Sequence, residues 1–170
     1  MQREETIKSP EITDLSNCPR KGRILAIDPG TKRVGIASTD RDQTIATPVK
    51  TLARTSWKKL LSDIKETISD FDAVALVVGL PLGFEGDETA MTAEATSMAR
   101  KFSLSLKIPV FLQDERVSSY EARGRLWKRS GSTQDLRSEV DSEAASVILA
   151  DFLDRLSKLS QSVPAEAGDK

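Results

Sequence analysis

A hydrophobic run that stops at a carboxylate constrains this chain more than any other feature. Residues 23–37 read RILAIDPGTKRVGIA: an apolar run, then Asp28, a Pro-Gly turn, two cations and a second apolar run. This pattern predicts a β-hairpin that carries Asp28 at the end of its first strand. Because burying a carboxylate is costly unless it is paired, Asp28 needs a partner, which could be a metal, a cation or a helix or turn cap.

Composition excludes several kinds of chemistry. The 170 residues contain no histidine and one cysteine, Cys18, which excludes Ser-His triads, His-ligated zinc, internal disulfides and Cys-cluster metal sites. The net charge of −1 gives no global attraction to nucleic acid, so any such binding needs a local patch. Carboxylates with a divalent metal remain the leading candidates for catalysis.

The order of elements predicts one α/β domain. Three strands joined by tight turns form an antiparallel meander, and helices and two further strands alternate after it. We expect a five-stranded mixed sheet, three antiparallel strands then two parallel ones, flanked by helices. The predicted strands are 23–28, 33–39, 44–52 (an edge strand, from Pro48), 73–79 and 109–113, and the predicted helices are 55/56–69, 89–107, 118–129 and 138–160. Residues 1–21 are predicted to be a mobile extension, 22–160 the folded domain and 161–170 a mobile tail.

Carboxylates stand where these elements converge. Asp28 ends the first strand, Asp114 and Glu115 end the fifth, and Asp141 lies in the first turn of the predicted last helix, on its apolar face. Clustered carboxylates stay ionised together only around a cation, and hard oxygen ligands select Mg²⁺ or Mn²⁺. Two such ions could support phosphodiester hydrolysis without histidine.

Simpler explanations exist for each acid alone. Asp28 could form an Asx turn, and Ser138 with Asp141 could form a capping box that only begins a helix. Asp114 and Glu115 could be surface residues at a strand end, or could pair with Arg116. Their combination favours a shared site.

Four segments closely resemble the YqgF (RuvX) family, whose members are described as Holliday-junction-resolvase-like nucleases and as pre-16S rRNA nucleases. The resemblance covers about residues 21–156, and it implies an RNase H-like fold. The segments are IDPGTKRVG at 27–35, VGLPL at 78–82, DERVS at 114–118 and VDSEAA at 140–145.

The resemblance also implies site residues. Asp28 corresponds to the first catalytic metal ligand, Asp114 or Glu115 to the second and Asp141 to the one on the last helix. Strand alternation points Asp114 and Glu115 to opposite faces, so both stay candidates. Lys32 and Arg33 resemble the family's hairpin cations, which would bind backbone phosphate, although a solvated turn is the simpler alternative. The loop after Pro81 departs from the family: Gly83 stands at the usual Asn position and the loop is acidic.

A basic segment follows the second pair of acids. Residues 116–137 hold six basic residues against two acidic ones, with Tyr120 and Trp127 among them. Aromatic rings stack on unpaired bases while cations contact phosphates, so Arg116 and Arg123 are predicted to bind substrate. The alternative is an amphipathic helix whose charges are solvated.

The sequence therefore predicts a cytoplasmic Mg²⁺-dependent endonuclease, a monomer or homodimer, that acts on structured RNA or branched DNA and not on membranes. A non-catalytic nucleic-acid-binding module is the main alternative. A fragment of an actin-like ATPase is less consistent with the length, because those enzymes bind nucleotide between two such domains.

Overall fold

A computed structural model of the protein describes residues 14–83, 85–115 and 133–162. Five strands form one sheet in the order β3-β2-β1-β4-β5. The pairs β1–β2 and β2–β3 are antiparallel, and the pairs β1–β4 and β4–β5 are parallel. This topology confirms the predicted mixed sheet, with β3 at its edge, and the RNase H-like architecture. The strands are β1 (Arg23–Pro29), β2 (Arg33–Thr39), β3 (Ala46–Ala53), β4 (Ala73–Leu80) and β5 (Val110–Asp114).

Helices cover both faces of this sheet. They are α1 (Trp57–Phe71), α2 (Ala90–Ser105) and α3 (Thr133–Ser162). Of the two candidate helix starts, Thr55 and Ser56, Ser56 caps α1, since its hydroxyl accepts a hydrogen bond from the Lys59 backbone N–H. None of the helices in the described ranges is long and apolar enough to span a bilayer. The helix predicted at 118–129 lies outside the described residues.

The predicted start of the last helix is wrong. α3 begins at Thr133, not at Ser138, so Ser138 and Asp141 already lie inside the helix. The capping-box explanation of Asp141 therefore fails, and the carboxylate stands in the third turn of α3. Ser138 and Asp141 resemble a capping box in sequence, but the Ser142 hydroxyl donates a hydrogen bond back to the Ser138 carbonyl, a contact made within a helix.

Strand alternation divides the core into two layers. Leu25 and Ile27 of β1 pack in the layer beneath α1 and α2, whereas Ile24 and Ala26 pack in the layer beneath α3. The same alternation decides which side chains at the C-terminal ends of β1, β4 and β5 face α3. We call this side of the sheet the α3 face.

The boundary of the folded domain lies earlier than residue 22. Leu15–Asn17 form a 3-10 turn, and Cys18 is buried beneath α3. The Arg20 guanidinium donates a hydrogen bond to the Leu156 carbonyl of α3. Cys18, expected to be an incidental thiol in a polar leader, is thus part of the core. The mobility predicted for the two ends of the chain stays a prediction.

Candidate active site

Asp28 lies at the C-terminal end of β1 and faces α3. Ile24 and Ala26 precede it on the same face, and its side chain is half-buried. It pairs with Gly35 of β2. On the other side of β1, Ile27 pairs with Val78 of β4. The next residue of β4, Gly79, therefore lies beside Asp28. Asp28 is therefore flanked on both neighbouring strands by a glycine.

Gly35 lets helix α3 lie directly against the sheet. A Cβ atom at this position would be 1.9 Å from the Asp141 carbonyl oxygen and 2.8 Å from the Ser142 nitrogen. The Thr51 hydroxyl of β3 donates a hydrogen bond of 2.8 Å to the Ser138 carbonyl, which holds α3 over the same row of residues. The absence of a side chain at Gly35 thus brings the Asp141 backbone close to the strand pair that carries Asp28.

The Asp141 carboxylate is held by Arg33. The Arg33 Nε lies 2.8 Å from Oδ2 of Asp141, and the two side chains are 39% and 24% exposed. Arg33 begins β2 on the α3 face, two residues before Gly35. Of the two hairpin cations, Arg33 therefore contacts a candidate metal ligand, whereas Lys32 is exposed on the turn.

Gly79 makes room for the Glu115 carboxylate. A Cβ atom at Gly79 would be 2.9 Å from Glu115 Oε2 and 2.6 Å from the Cδ1 of Ile148 on α3. Glu115 is buried, and its backbone N–H donates a hydrogen bond of 3.2 Å to the Leu80 carbonyl, which extends the pairing of β5 with β4. Its carboxylate thus lies over the strand position next to Asp28.

Asp114 belongs to the other face. Phe111 of β5 packs beneath α3, and Gln113 accepts a hydrogen bond from Arg155 of α3. Leu112 packs against the layer beneath α1 and α2. By the same alternation Asp114 faces away from α3 and Glu115 faces toward it. The structure therefore separates the two acids that the sequence left equivalent.

The predicted site is only partly assembled. Asp28, Glu115 and Asp141 share one edge and one face of the sheet, but within the described ranges no three acidic or cysteine side chains are close enough to hold a metal ion together. Arg116 and Arg123 lie outside the described residues, as do Tyr120 and Trp127. In the acidic loop after Pro81, the Gly83 N–H donates a hydrogen bond to the Asp87 carbonyl and the Gly86 N–H donates one to the Gly83 carbonyl. The loop leads to the Thr89 cap of α2.

Sequence patterns did not reveal the importance of Gly35 and Gly79. A signal was present, because each interrupts a strand that is otherwise rich in aliphatic residues, and such a glycine often marks a close approach. What approaches the glycine could not be read from the sequence. In both cases it is part of a candidate site residue.

Known proteins resemble the chain over most of its length. A protein of Anaeromyxobacter dehalogenans, named as a candidate pre-16S rRNA nuclease, is 41% identical over 133 residues, which cover 78% of this chain and 97% of that protein. Proteins with the same name from Leifsonia xyli and Rickettsia bellii are 38% and 30% identical, and the matches cover 79% and 85% of this chain and 87% and 92% of those proteins.

Solved structures of Holliday junction resolvases are also similar. RuvC of Thermus thermophilus bound to a Holliday junction has a TM-score of 0.48 at 15% identity, covering 79% of this chain and 96% of that chain. The yeast mitochondrial resolvase has a TM-score of 0.49 at 12% identity, covering 87% and 85%. Residues 22–155 match the RuvX family, which is described as Holliday junction resolvase. The chain therefore belongs to the RuvX family.

Proposed function

We propose that this protein is a divalent-metal-dependent nuclease that hydrolyses phosphodiester bonds in structured nucleic acid. The observation that carries the proposal is the shared placement of three carboxylates. Asp28, Glu115 and Asp141 come from two strand ends and one helix, yet all three lie at one edge of the sheet on the α3 face. A purely structural role for each acid would not by itself explain why all three share this edge and this face.

The residues present fit a hard divalent cation such as Mg²⁺ or Mn²⁺. Carboxylate oxygens are the ligands that these ions prefer, and the site lacks the soft donors that would select other metals. Asp28, Glu115 and Asp141 would hold the ion once their side chains lie closer together than they do in this structure. The Arg33 guanidinium lies against Asp141, so the charge of this carboxylate is balanced by Arg33 when no metal is bound.

Each residue then has a distinct task. When bound, the metal supplies Lewis-acid activation of water and stabilisation of the leaving oxygen. The three carboxylates would hold the metal ion, and burial of Glu115 over Gly79 keeps that carboxylate in one position. Lys32, exposed on the β1–β2 turn, binds substrate phosphate as a point charge, and Arg33 does so through its planar guanidinium.

The substrate class follows from the family. Relatives are named as candidate pre-16S rRNA nucleases, and the family is described as Holliday junction resolvase. We therefore propose two substrates for direct comparison, the 5′ region of precursor 16S rRNA and a four-way DNA junction. Cleavage of the RNA by a monomer would favour rRNA processing, whereas symmetric cleavage of the junction would require two sites.

A matched set of variants tests the assignment. Both substrates are incubated with Mg²⁺ and wild-type protein, Asp28→Asn, Glu115→Gln or Asp114→Asn. We expect the first two variants to lose about 100-fold or more of the cleavage rate, as removal of an essential catalytic interaction does. Asp114→Asn is the control, because Asp114 lies one residue from Glu115 but faces the opposite side of the sheet.

Three results would contradict the proposal. Undiminished cleavage by Asp28→Asn would remove Asp28 from the mechanism, and equal losses in Asp114→Asn and Glu115→Gln would remove the distinction between the two faces. Nucleic-acid binding that survives chelation, with no cleavage of either substrate by the wild type, would instead identify a non-catalytic binding module.

A further inference from the structure

A polar cavity opens on the face of the sheet opposite α3. It has a volume of about 200 Å³ and lies between the N-terminal end of α1 and the middle of α2. Its lining combines an aromatic ring, two cations, a carboxylate and a hydroxyl, a set that the proposed cleavage reaction does not use. We call it the α1–α2 cavity, and its polar and aromatic residues are Trp57, Arg54, Lys101, Glu94 and Ser97.

Trp57 gives this cavity a fixed aromatic surface. Its ring packs against Phe102, with ring centroids 4.8 Å apart and an angle of 52° between the planes. Phe102 is fully buried, so this contact anchors the indole to the core. The ammonium of Lys101 lies 5.4 Å from the centroid of the Trp57 ring. Because Lys101 is exposed, it can move away from the ring with little loss of packing.

Arg54 joins the cavity to the β1–β2 turn. Its guanidinium donates a hydrogen bond of 2.9 Å to the Gly30 carbonyl, and its backbone N–H donates one of 2.9 Å to the Lys32 carbonyl. The same guanidinium forms an ion pair with Glu94 of α2. The turn that connects Asp28 to Arg33 is therefore hydrogen-bonded to a residue that lines the cavity.

Two neighbouring arginines face opposite sides of the sheet at this edge. Arg33 pairs with Ala53 across the β2–β3 ladder, so Arg54 is the next residue along the edge. Arg33 contacts Asp141 on the α3 face, whereas Arg54 contacts Glu94 on the α1–α2 side. Exposed Lys32 lies between them on the turn. Positive side chains thus lie on both faces of the sheet at this edge, between the proposed active site and the cavity.

We propose that the α1–α2 cavity binds one unpaired base of the nucleic-acid strand that the active site cleaves, an inference that rests on the proposed function. The base stacks on Trp57 in place of the Lys101 ammonium, which then binds the adjoining phosphate. Glu94 and Ser97 contact the polar edge of the base. A cavity of about 200 Å³ is smaller than the ~300–1,000 Å³ typical of sites for whole small molecules, which favours a single base over a complete ligand.

The carboxylate also predicts which bases bind. An ionised carboxylate only accepts hydrogen bonds, so Glu94 favours a base with an amino group over one whose edge presents carbonyl oxygens. We therefore expect single-stranded oligoadenylate or oligocytidylate to bind more tightly than oligouridylate. Glu94→Gln should remove this preference, because the amide can both donate and accept.

Fluorescence of Trp57 tests the proposal directly. The full chain contains two tryptophans, Trp57 and Trp127, so Trp127→Phe leaves Trp57 as the single reporter. Heptameric single-stranded RNA and DNA are titrated without divalent metal, so that binding is observed without cleavage. We expect saturable quenching of Trp57 by adenine and cytosine oligomers. With labelled oligomers, Trp57→Leu should bind about tenfold more weakly and Trp57→Phe should retain most of the affinity.

Charge variants separate a built site from general attraction. Lys101→Met should weaken binding and lower the slope of log affinity against log salt concentration by about one. Lys58 is exposed on α1 outside the cavity lining, so Lys58→Met should change neither the affinity nor the slope.

Absence of quenching would overturn the proposal, as would equal effects of the two lysine variants. If the wild type cleaves its substrate without any Trp57 response, the cavity proposal fails and the nuclease stands. Base-dependent quenching without cleavage of any substrate would support the cavity and count against the nuclease.

Discussion

The Arg33 guanidinium holds the Asp141 carboxylate across the interface between β2 and α3, with Nε 2.8 Å from Oδ2. This contact joins Arg33, a cation of the candidate substrate site, to Asp141, the acid that α3 contributes to the candidate metal site. In the proposed function, Arg33 therefore stays paired with the Asp141 carboxylate until a metal ion and a substrate phosphate bind. Binding of substrate phosphate to Arg33 would release Asp141, so nucleic acid and metal should favour each other's binding.

Removing Arg33 should strengthen metal binding and weaken its dependence on substrate. Half-exposed ion pairs contribute at most about 1 kcal/mol, so we expect Arg33→Met to bind Mg²⁺ about two- to fivefold more tightly in the absence of nucleic acid, measured by calorimetry. A non-cleavable substrate analogue should then raise the Mg²⁺ affinity of the wild type but not that of the variant.

Lys32→Met provides the matched control for Arg33→Met. It removes the same charge from the same turn, but Lys32 is exposed and Arg33 is the residue in contact with Asp141. Equal gains in Mg²⁺ affinity for both variants would show that only the loss of one positive charge near the site matters. That result would contradict direct competition between Arg33 and the metal for Asp141.

Gly35→Ala should destabilise the fold strongly. The added methyl group would be 1.9 Å from the Asp141 carbonyl oxygen and 2.2 Å from its carbonyl carbon, and helix backbone cannot rotate away as a side chain can. We expect a loss of about 3 kcal/mol or more in the free energy of unfolding, measured by urea denaturation.

Gly83→Ala is the control for the glycine substitution. Its added methyl group would also be too close to another atom, 2.2 Å from Oδ1 of Asp87, but that atom ends an exposed side chain that can turn away. Its effect should stay within about 0.5 kcal/mol. Similar losses at positions 35 and 83 would mean that α3 is not held by close backbone contact at Gly35.

Gly79→Ala should separate metal binding from stability. Its methyl group would meet the ends of two side chains, Glu115 Oε2 at 2.9 Å and Ile148 Cδ1 at 2.6 Å. Because both can move, we expect a cost of about 1 kcal/mol in stability. The displaced Glu115 carboxylate should lower Mg²⁺ affinity about 10-fold or more, as changes that misplace a metal ligand do.

A second substitution distinguishes the two contacts at Gly79. Ile148→Val deletes the Cδ1 atom and relieves one contact while leaving the contact with Glu115. In the double variant, thermal stability should recover toward that of Ile148→Val alone, but Mg²⁺ affinity should not. Recovery of both properties would mean that Gly79 acts through helix packing and not through Glu115.

Cys18 should resist alkylation in the native protein. Burial raises the pKa of its thiol from the ordinary value near 9 to about 11, although Arg20 acts in the opposite direction. At pH 8 the reactive thiolate should therefore be about 100-fold rarer than for an ordinary cysteine, and the reaction with iodoacetamide correspondingly slow. The rate should rise with pH until about pH 11.

Position 16 offers the control for this measurement. Ser16 is exposed two residues before Cys18, so a Cys18→Ser, Ser16→Cys variant should react at an ordinary rate. Urea should remove the difference between the two proteins. Equal rates in native buffer would show that residues 14–22 do not stay docked beneath α3.

The sequence by itself determined the class of fold. Apolar runs separated by tight turns predicted the meander, and the alternation of helices and strands after it predicted the mixed sheet. These signals are local, since each depends on residues within one or two turns or strands. The same is true of the motif that places Asp28 at a strand end.

Tertiary structure decided which acids lie together on the α3 face. Sequence could not choose between Asp114 and Glu115, because a single register step reverses the face of every side chain in β5. It also misplaced the start of α3, since Ser138 resembles a helix cap locally while the helix continues through it. The closeness of Arg33 and Asp141, 108 residues apart in the chain, depends on the approach of α3 to Gly35. Such contacts arise from packing between distant segments, and no local pattern encodes their distance.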